Sequence, residues 1–96
     1  MNREEVIETI QRIKGKLPTF KVEHIYLFGS VARNESHSGS DLDFLVEFSE
    51  TVSLFELIHL KNFLEEVFQR KVDVVPRSSL REELKAEILK DAIRAA

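Results

Sequence analysis

Cysteine is absent from the 96 residues, which excludes a disulfide scaffold, a thiolate metal site and a cysteine nucleophile. Glycine and proline are scarce, at three and two, so the chain is neither collagen-like nor a low-complexity tract. Long apolar runs are missing as well. The longest, Ile25-Tyr26-Leu27-Phe28, falls far short of the ~20 residues a membrane helix requires. The start, Met1-Asn2-Arg3-Glu4-Glu5, is charged and has no apolar signal core, so a soluble cytoplasmic protein with no membrane partner is expected. Positive charge is also in deficit: 14 Lys and Arg stand against 17 Asp and Glu, a formal net charge of -3. Attachment to nucleic acid by bulk electrostatics needs a basic face, so direct nucleic-acid binding is not expected.

With 43% hydrophobic and 32% charged residues, the composition is that of an ordinary globular chain forming one domain over 1–96. Val6, Ile7, Ile10, Ile13 and Leu17 recur at three- and four-residue spacing, predicting an amphipathic helix from Arg3 to Leu17 with Asn2 as N-cap. Val22 to Phe28 reads as a strand stopped by Gly29, and Leu42 to Phe48 as a second. Between them a short helical turn can begin at Ser30, the remainder being connector. Ser53 as N-cap with Glu56 at N3 predicts a capped helix from Ser53 to Gln69. Lys71 to Val75 is a third, short strand ended by Pro76. The same cap spacing, Ser79 with Glu82, predicts a last helix starting near Ser79 and carrying Leu80, Leu84, Ile88, Ala92 and Ile93. The expected class is α+β: a small three-stranded mixed sheet packed with helices.

Two acidic residues interrupt the second strand in Ser40-Asp41-Leu42-Asp43-Phe44-Leu45-Val46. Alternation puts Asp41 and Asp43 on one face and Leu42, Phe44 and Val46 on the other. Like charges that close repel, and burying one is costly unless it is paired or bound to a cation. Asp73, flanked by Val72 and Val74, repeats the oddity in the third strand. Three carboxylates on short strands form a hard-oxygen site of the kind Mg²⁺ prefers. If Gly29-Ser30 and Asp41/Asp43 share a site, the first two strands are antiparallel. The connection from the second strand to the third holds a helix, long enough for a parallel crossover that brings Asp73 beside Asp43. Gly29 permits close backbone approach, and a helix start at Ser30 presents free N–H groups to phosphate. Neither G-x-x-x-x-G-K-[ST] nor G-x-G-x-x-G occurs, so P-loop and Rossmann readings fail.

Gly29-Ser30-Val31-Ala32-Arg33, then Ser40-Asp41-Leu42-Asp43, then Asp73 in a third strand, resemble the signature of the polymerase-β-type nucleotidyltransferases. The size and spacing are similar to those of the minimal nucleotidyltransferase (MNT) domains, antitoxins to HEPN-family toxins. The resemblance spans about Val22 to Ile93. It implies that Asp41, Asp43 and Asp73 are catalytic and hold two Mg²⁺ ions, which bind the triphosphate of ATP as substrate. It further implies that Asp73 helps deprotonate a hydroxyl attacking the α-phosphate, with Gly29, Ser30, Arg33 and Ser40 in nucleotide binding. In the family, AMP passes to a tyrosine of the cognate HEPN ribonuclease and silences it. One departure is Asn34, where the family usually has Gly; Asn tolerates the left-handed conformation better than most residues.

Plainer readings stand beside these. Asp41 and Asp43 alone would suit a solvent-facing strand or a helix cap. An EF-hand fails because Phe44-Leu45-Val46 follows, and a G-x-S-x-G elbow around Ser30 is absent. Arg33 suits a phosphate contact or the face of a short helix. His24, His37 and His59 lack ligand spacing and read as structural or exposed. The helix over 53–69 carries a wider apolar band than one core stripe requires, leaving a partner, a homodimer or a hetero-oligomer open. Two rivals accompany the protein-adenylylating reading. One is a non-catalytic antitoxin acting by binding. The other is a nucleotidyltransferase for a small-molecule or nucleic-acid acceptor, completed by a separate chain.

Overall fold

The computed structural model of the chain describes residues 1–35 and 41–96. Helix α1 (Arg3–Ile13) opens on the expected N-cap, Asn2, and Glu5 completes a capping box with it: Asn2 accepts from the Glu5 N–H, and the Glu5 side chain accepts from the Asn2 N–H. It ends four residues before Leu17, and Lys14–Phe20 continue as a 3-10 helix that still buries Leu17. Strand β1 (Val22–Phe28) leads into the single turn α2 (Gly29–Ala32). Strand β2 (Leu42–Phe48), helix α3 (Leu54–Phe68) and strand β3 (Val72–Pro76) follow. The Ser53–Glu56 capping box starts α3, and Gln69 in the left-handed region ends it.

The sheet order is β3-β2-β1-β4, with β1 antiparallel to β2 and β2 parallel to β3. The three expected strands and their directions are present, and a fourth joins them. Strand β4 (Ile93–Arg94) pairs antiparallel with β1, and the chain beyond it stays anchored: Ala95 N–H donates to the Ile25 carbonyl, and Ile25 N–H to that of Ala96. Ile93 therefore belongs to a strand rather than to the last helix. Helix α4 (Glu82–Asp91) also begins later than the spacing predicts. Ser79 closes a 3-10 turn (Arg77–Ser79), Leu80 and Arg81 are extended, and Arg81 caps α4 without a side-chain bond. The Ser79–Glu82 capping box is thus not formed, because the chain leaving β3 has not yet turned helical at Leu80.

The core lies on one sheet face. Leu42, Phe44 and Val46 of β2 and Ile25 and Leu27 of β1 pack with Val6 and Ile10 of α1 and with Leu60, Leu64 and Phe68 of α3. The Phe44 and Phe68 rings sit 5.7 Å apart, and Phe20 stacks on Phe63 at 4.8 Å, fastening the 3-10 helix to α3. Such aromatic pairs contribute roughly 0.5–1.5 kcal/mol beyond their buried area. The opposite face carries Asp43, Leu45 and Glu47. Leu45 is fully buried there, outside the main core. No helix among the described residues is long and apolar enough to cross a membrane.

Candidate active site

Strand register brings the acidic residues together. Asp43 is the Cα partner of Asp73 in the parallel β2–β3 pair and of Phe28 in the antiparallel β1–β2 pair. The C-terminal end of β1, and with it Gly29, therefore meets the N-terminal ends of β2 and β3. Gly29 has φ +80°. A Cβ built there would lie 2.3 Å from Asp43 Oδ2 and 3.3 Å from Asp43 Cβ. Only a residue without a side chain fits, so backbone conformation and close approach both demand glycine here. Asn34 has φ +57° and takes the left-handed conformation expected of it.

Asp43 is half-buried, whereas Asp41 and Asp73 are exposed. Burial pushes the Asp43 carboxyl up to about 6, helped by the charges of Asp73 and Asp41 and by a hydrogen bond shared with Asp73, while Arg33 works in the opposite direction. Three acidic or imidazole groups do not already converge into one metal-binding cluster among the described residues. Asp43 and Asp73 are register partners at the centre of the candidate site, and Asp41 adds its charge from two residues earlier on the chain. Two repelling hard-oxygen donors, one held partly out of water, fit a divalent cation.

The nucleotide side is built from α2. Its N-cap, Phe28, gives no side-chain bond, so the first amides of the turn have no side-chain cap. Ser30 is half-buried, and its carbonyl accepts from the Glu35 N–H at 2.8 Å. The Arg33 guanidinium donates to Glu35 at 3.0 Å and to Asp91 at 3.1 Å. Asp91 ends α4, so this pair ties the turn after β1 to the last helix; nothing in the local sequence around Asp91 signals it. Ser40 and His37 lie outside the described residues.

A second polar group occupies the far end of the same face. Tyr26 donates its hydroxyl to Glu47 at 2.9 Å, and Arg77 bonds the same carboxylate oxygen. Arg77, just past the end of β3, is held in place by Glu47. A cavity of about 720 Å³ opens here, between the ends of β2 and β3 and the start of α3. It lies away from the aspartates, and none of Asp41, Asp43 and Asp73 lines it.

Known proteins share this sequence and fold. A family model described as Nucleotidyltransferase domain matches residues 6–95. A Methanocaldococcus jannaschii protein, provisionally named protein adenylyltransferase MJ0435, is 43% identical over 88 residues, spanning 88% of this chain and 95% of that one. Protein adenylyltransferase MntA of Thermococcus cleftensis is 38% identical over 74 residues, 77% of this chain and 75% of its own. A solved structure described provisionally as a minimal nucleotidyltransferase superposes with a TM-score of 0.82 at 32% identity, covering 97% of this chain and 95% of that one. A toxin–antitoxin structure with AMP-PNP shares the fold, with a TM-score of 0.75 at 24% identity over 100% of this chain and 73% of that one. With the aspartate pair, the glycine that only Gly can occupy and a family match over nearly its whole length, the chain belongs to the Nucleotidyltransferase domain family in its minimal form.

Proposed function

We propose that this nucleotidyltransferase moves AMP from ATP to a tyrosine hydroxyl of a cognate HEPN-family toxin, in a Mg²⁺-dependent reaction, and so acts as its antitoxin in the cytoplasm. The observation that carries the reading is the register pairing of Asp43 with Asp73 directly against Gly29. The relatives named as protein adenylyltransferases support a protein as acceptor. The fold shared with toxin–antitoxin complexes supports a toxin as that protein.

Asp43 and Asp73, with Asp41, would hold two Mg²⁺ ions. When bound, these supply charge neutralisation of the triphosphate and of the oxygens entering and leaving phosphorus. Gly29 lets the backbone reach the phosphates, and Ser30 offers its amide and hydroxyl as donors. Arg33, with Ser40, would turn a donor toward the nucleotide. Asp73 is exposed where Asp43 is half-buried, so it faces the incoming acceptor and takes the hydroxyl proton. The acceptor oxygen then bonds the α-phosphorus, the bond from that phosphorus to the α–β bridging oxygen breaks, and pyrophosphate leaves with the electron pair.

Incubation with ATP labelled at the α-phosphate, Mg²⁺ and the partner tests this directly. Label on a partner tyrosine that vanishes in Asp41→Asn and Asp43→Asn supports transfer. A tight complex that silences the toxin without label supports the rival, inhibition by binding alone. Label on a small molecule or nucleic acid instead of the partner moves the acceptor class.

A further inference from the structure

Asp91 is a carboxylate to which the mechanism above gives no task. It ends α4, 58 residues along the chain from Arg33, yet its Oδ2 accepts from Arg33 Nη1 at 3.1 Å. Strand β4 brings the two together. Ile93 pairs with Leu27, and the strands run in opposite directions. Asp91 therefore stands two residues before Ile93, as Gly29 stands two residues beyond Leu27, and the register carries it to the turn after β1. The backbone of that turn is fixed by other bonds. Arg3 of α1 donates to the Ala32 carbonyl at 3.1 Å, and the Glu35 N–H donates to the Ser30 carbonyl at 2.8 Å. The long side chain of Arg33 is fixed by two carboxylates: Glu35, from within the turn, takes Nε at 3.0 Å, and Asp91, from α4, takes Nη1.

We infer that Asp91 is a positioning residue for the nucleotide, setting the plane of the Arg33 guanidinium so that its remaining donors meet a phosphate oxygen of ATP. This rests on the nucleotide-binding role proposed above for Arg33. A guanidinium carries its N–H donors in a planar fork, and carboxylates on Nε and Nη1 fix that plane while leaving donors for a ligand. Held in this way, the positive charge acts on Asp43 and works against the rise of its carboxyl, so the paired position is one beside the aspartates. Stability does not account for the contact. The Arg33 and Asp91 side chains are 41% and 30% exposed, and an ion pair so open to water contributes little to folding. Ordering a long side chain before the ligand arrives, by contrast, favours binding. A carboxylate that merely competed for Arg33 would draw it off the phosphates, so the two roles predict opposite effects on ATP affinity.

Calorimetry with ATP and Mg²⁺ reads this without the acceptor protein. Asp91→Ala should weaken ATP about fivefold. Asp91→Asn, which keeps the side-chain shape, should act in the same direction, and Asp91→Glu should restore most of the affinity. In an Arg33→Ala background, Asp91→Ala should change nothing, because the residue acts through Arg33. Equal weakening in both backgrounds would assign Asp91 a purely structural role and overturn the inference. An unchanged affinity in Asp91→Ala and Asp91→Asn would also overturn it, as would a tighter one, which makes Asp91 a competitor for Arg33. Wild-type protein that binds ATP without this coupling refutes the role of Asp91 alone. Wild-type protein that binds no ATP refutes the nucleotide reading of Arg33, and the inference falls with it.

Discussion

Replacing Asp43 by Asn should make the metal-free protein more stable while ending its activity. The Asp43 carboxyl is raised from 3.8 to about 6, first by burial and then by the charges of Asp73 and Asp41. For a carboxylate raised in the folded state, the ionised form opposes folding. The penalty is complete above about pH 6, fades as the pH falls, and is gone below the unfolded value near 4. Taken at face value the shift corresponds to about 3 kcal/mol. Asp43 is only half-buried, and solvent screening reduces this to about 1–2 kcal/mol. Asparagine keeps the shape, removes the charge and can still hydrogen-bond to Asp73. Thermal unfolding at pH 7.5 in EDTA should therefore show Asp43→Asn melting higher, at roughly 4–8 °C per kcal/mol for a domain of this size. At pH 4.5, where wild-type Asp43 is itself largely protonated, the gain should shrink toward zero. A variant that is less stable at pH 7.5, or a gain that persists undiminished at pH 4.5, would refute the argument that Asp43 is held charged against a cost.

Two further outcomes follow from local geometry. Gly29→Ala places a methyl group against the Asp43 carboxylate at a left-handed φ. It should cost about 1–2 kcal/mol in chemical denaturation and lower transfer about a hundredfold by displacing Asp43; near-normal activity would show that the close approach is not needed. Glu56 is drawn down to about 2 by its bond to Lys21 and by the Ser53 amide. A lowered carboxylate stabilises above its unfolded value and loses that contribution as the pH falls from about 4.5 through 2. The stability advantage of wild type over Glu56→Gln, followed by urea unfolding, should therefore narrow across that window.

What the sequence made legible was what repeats at short range. The alternation of Leu42, Phe44 and Val46 against Asp41 and Asp43 marks β2 and its faces, and β1 and β2 have the bounds their patterns predict. Asn2 ahead of the apolar stripe marks the start of α1, and the Ser53–Glu56 spacing that of α3. The pairing of Asp43 with Asp73 followed from topology, because a helix-containing crossover makes β2 and β3 parallel. The misses are features decided at long range. Ile93 continues the apolar spacing of Leu84, Ile88 and Ala92, so it reads as helix until hydrogen bonds to Ile25 claim the segment for β4. Ser79 and Glu82 have the right spacing for a cap, but the 3-10 turn closed by the Leu80 N–H to Arg77 carbonyl bond intervenes. The Arg33–Asp91 pair joins residues 58 apart and leaves no local trace.

The central claim is that Asp43, Asp73 and Gly29-Ser30 form one cation and triphosphate site. Paramagnetic broadening of backbone amide resonances by Mn²⁺ with a non-hydrolysable ATP analogue tests it most directly. The account predicts that amides of Gly29, Ser30, Asp41, Asp43 and Asp73 broaden first, and that Asp43→Asn abolishes the effect. Broadening centred on the surface acids Glu50 and Glu56, or on the cavity beside Arg77, would contradict it.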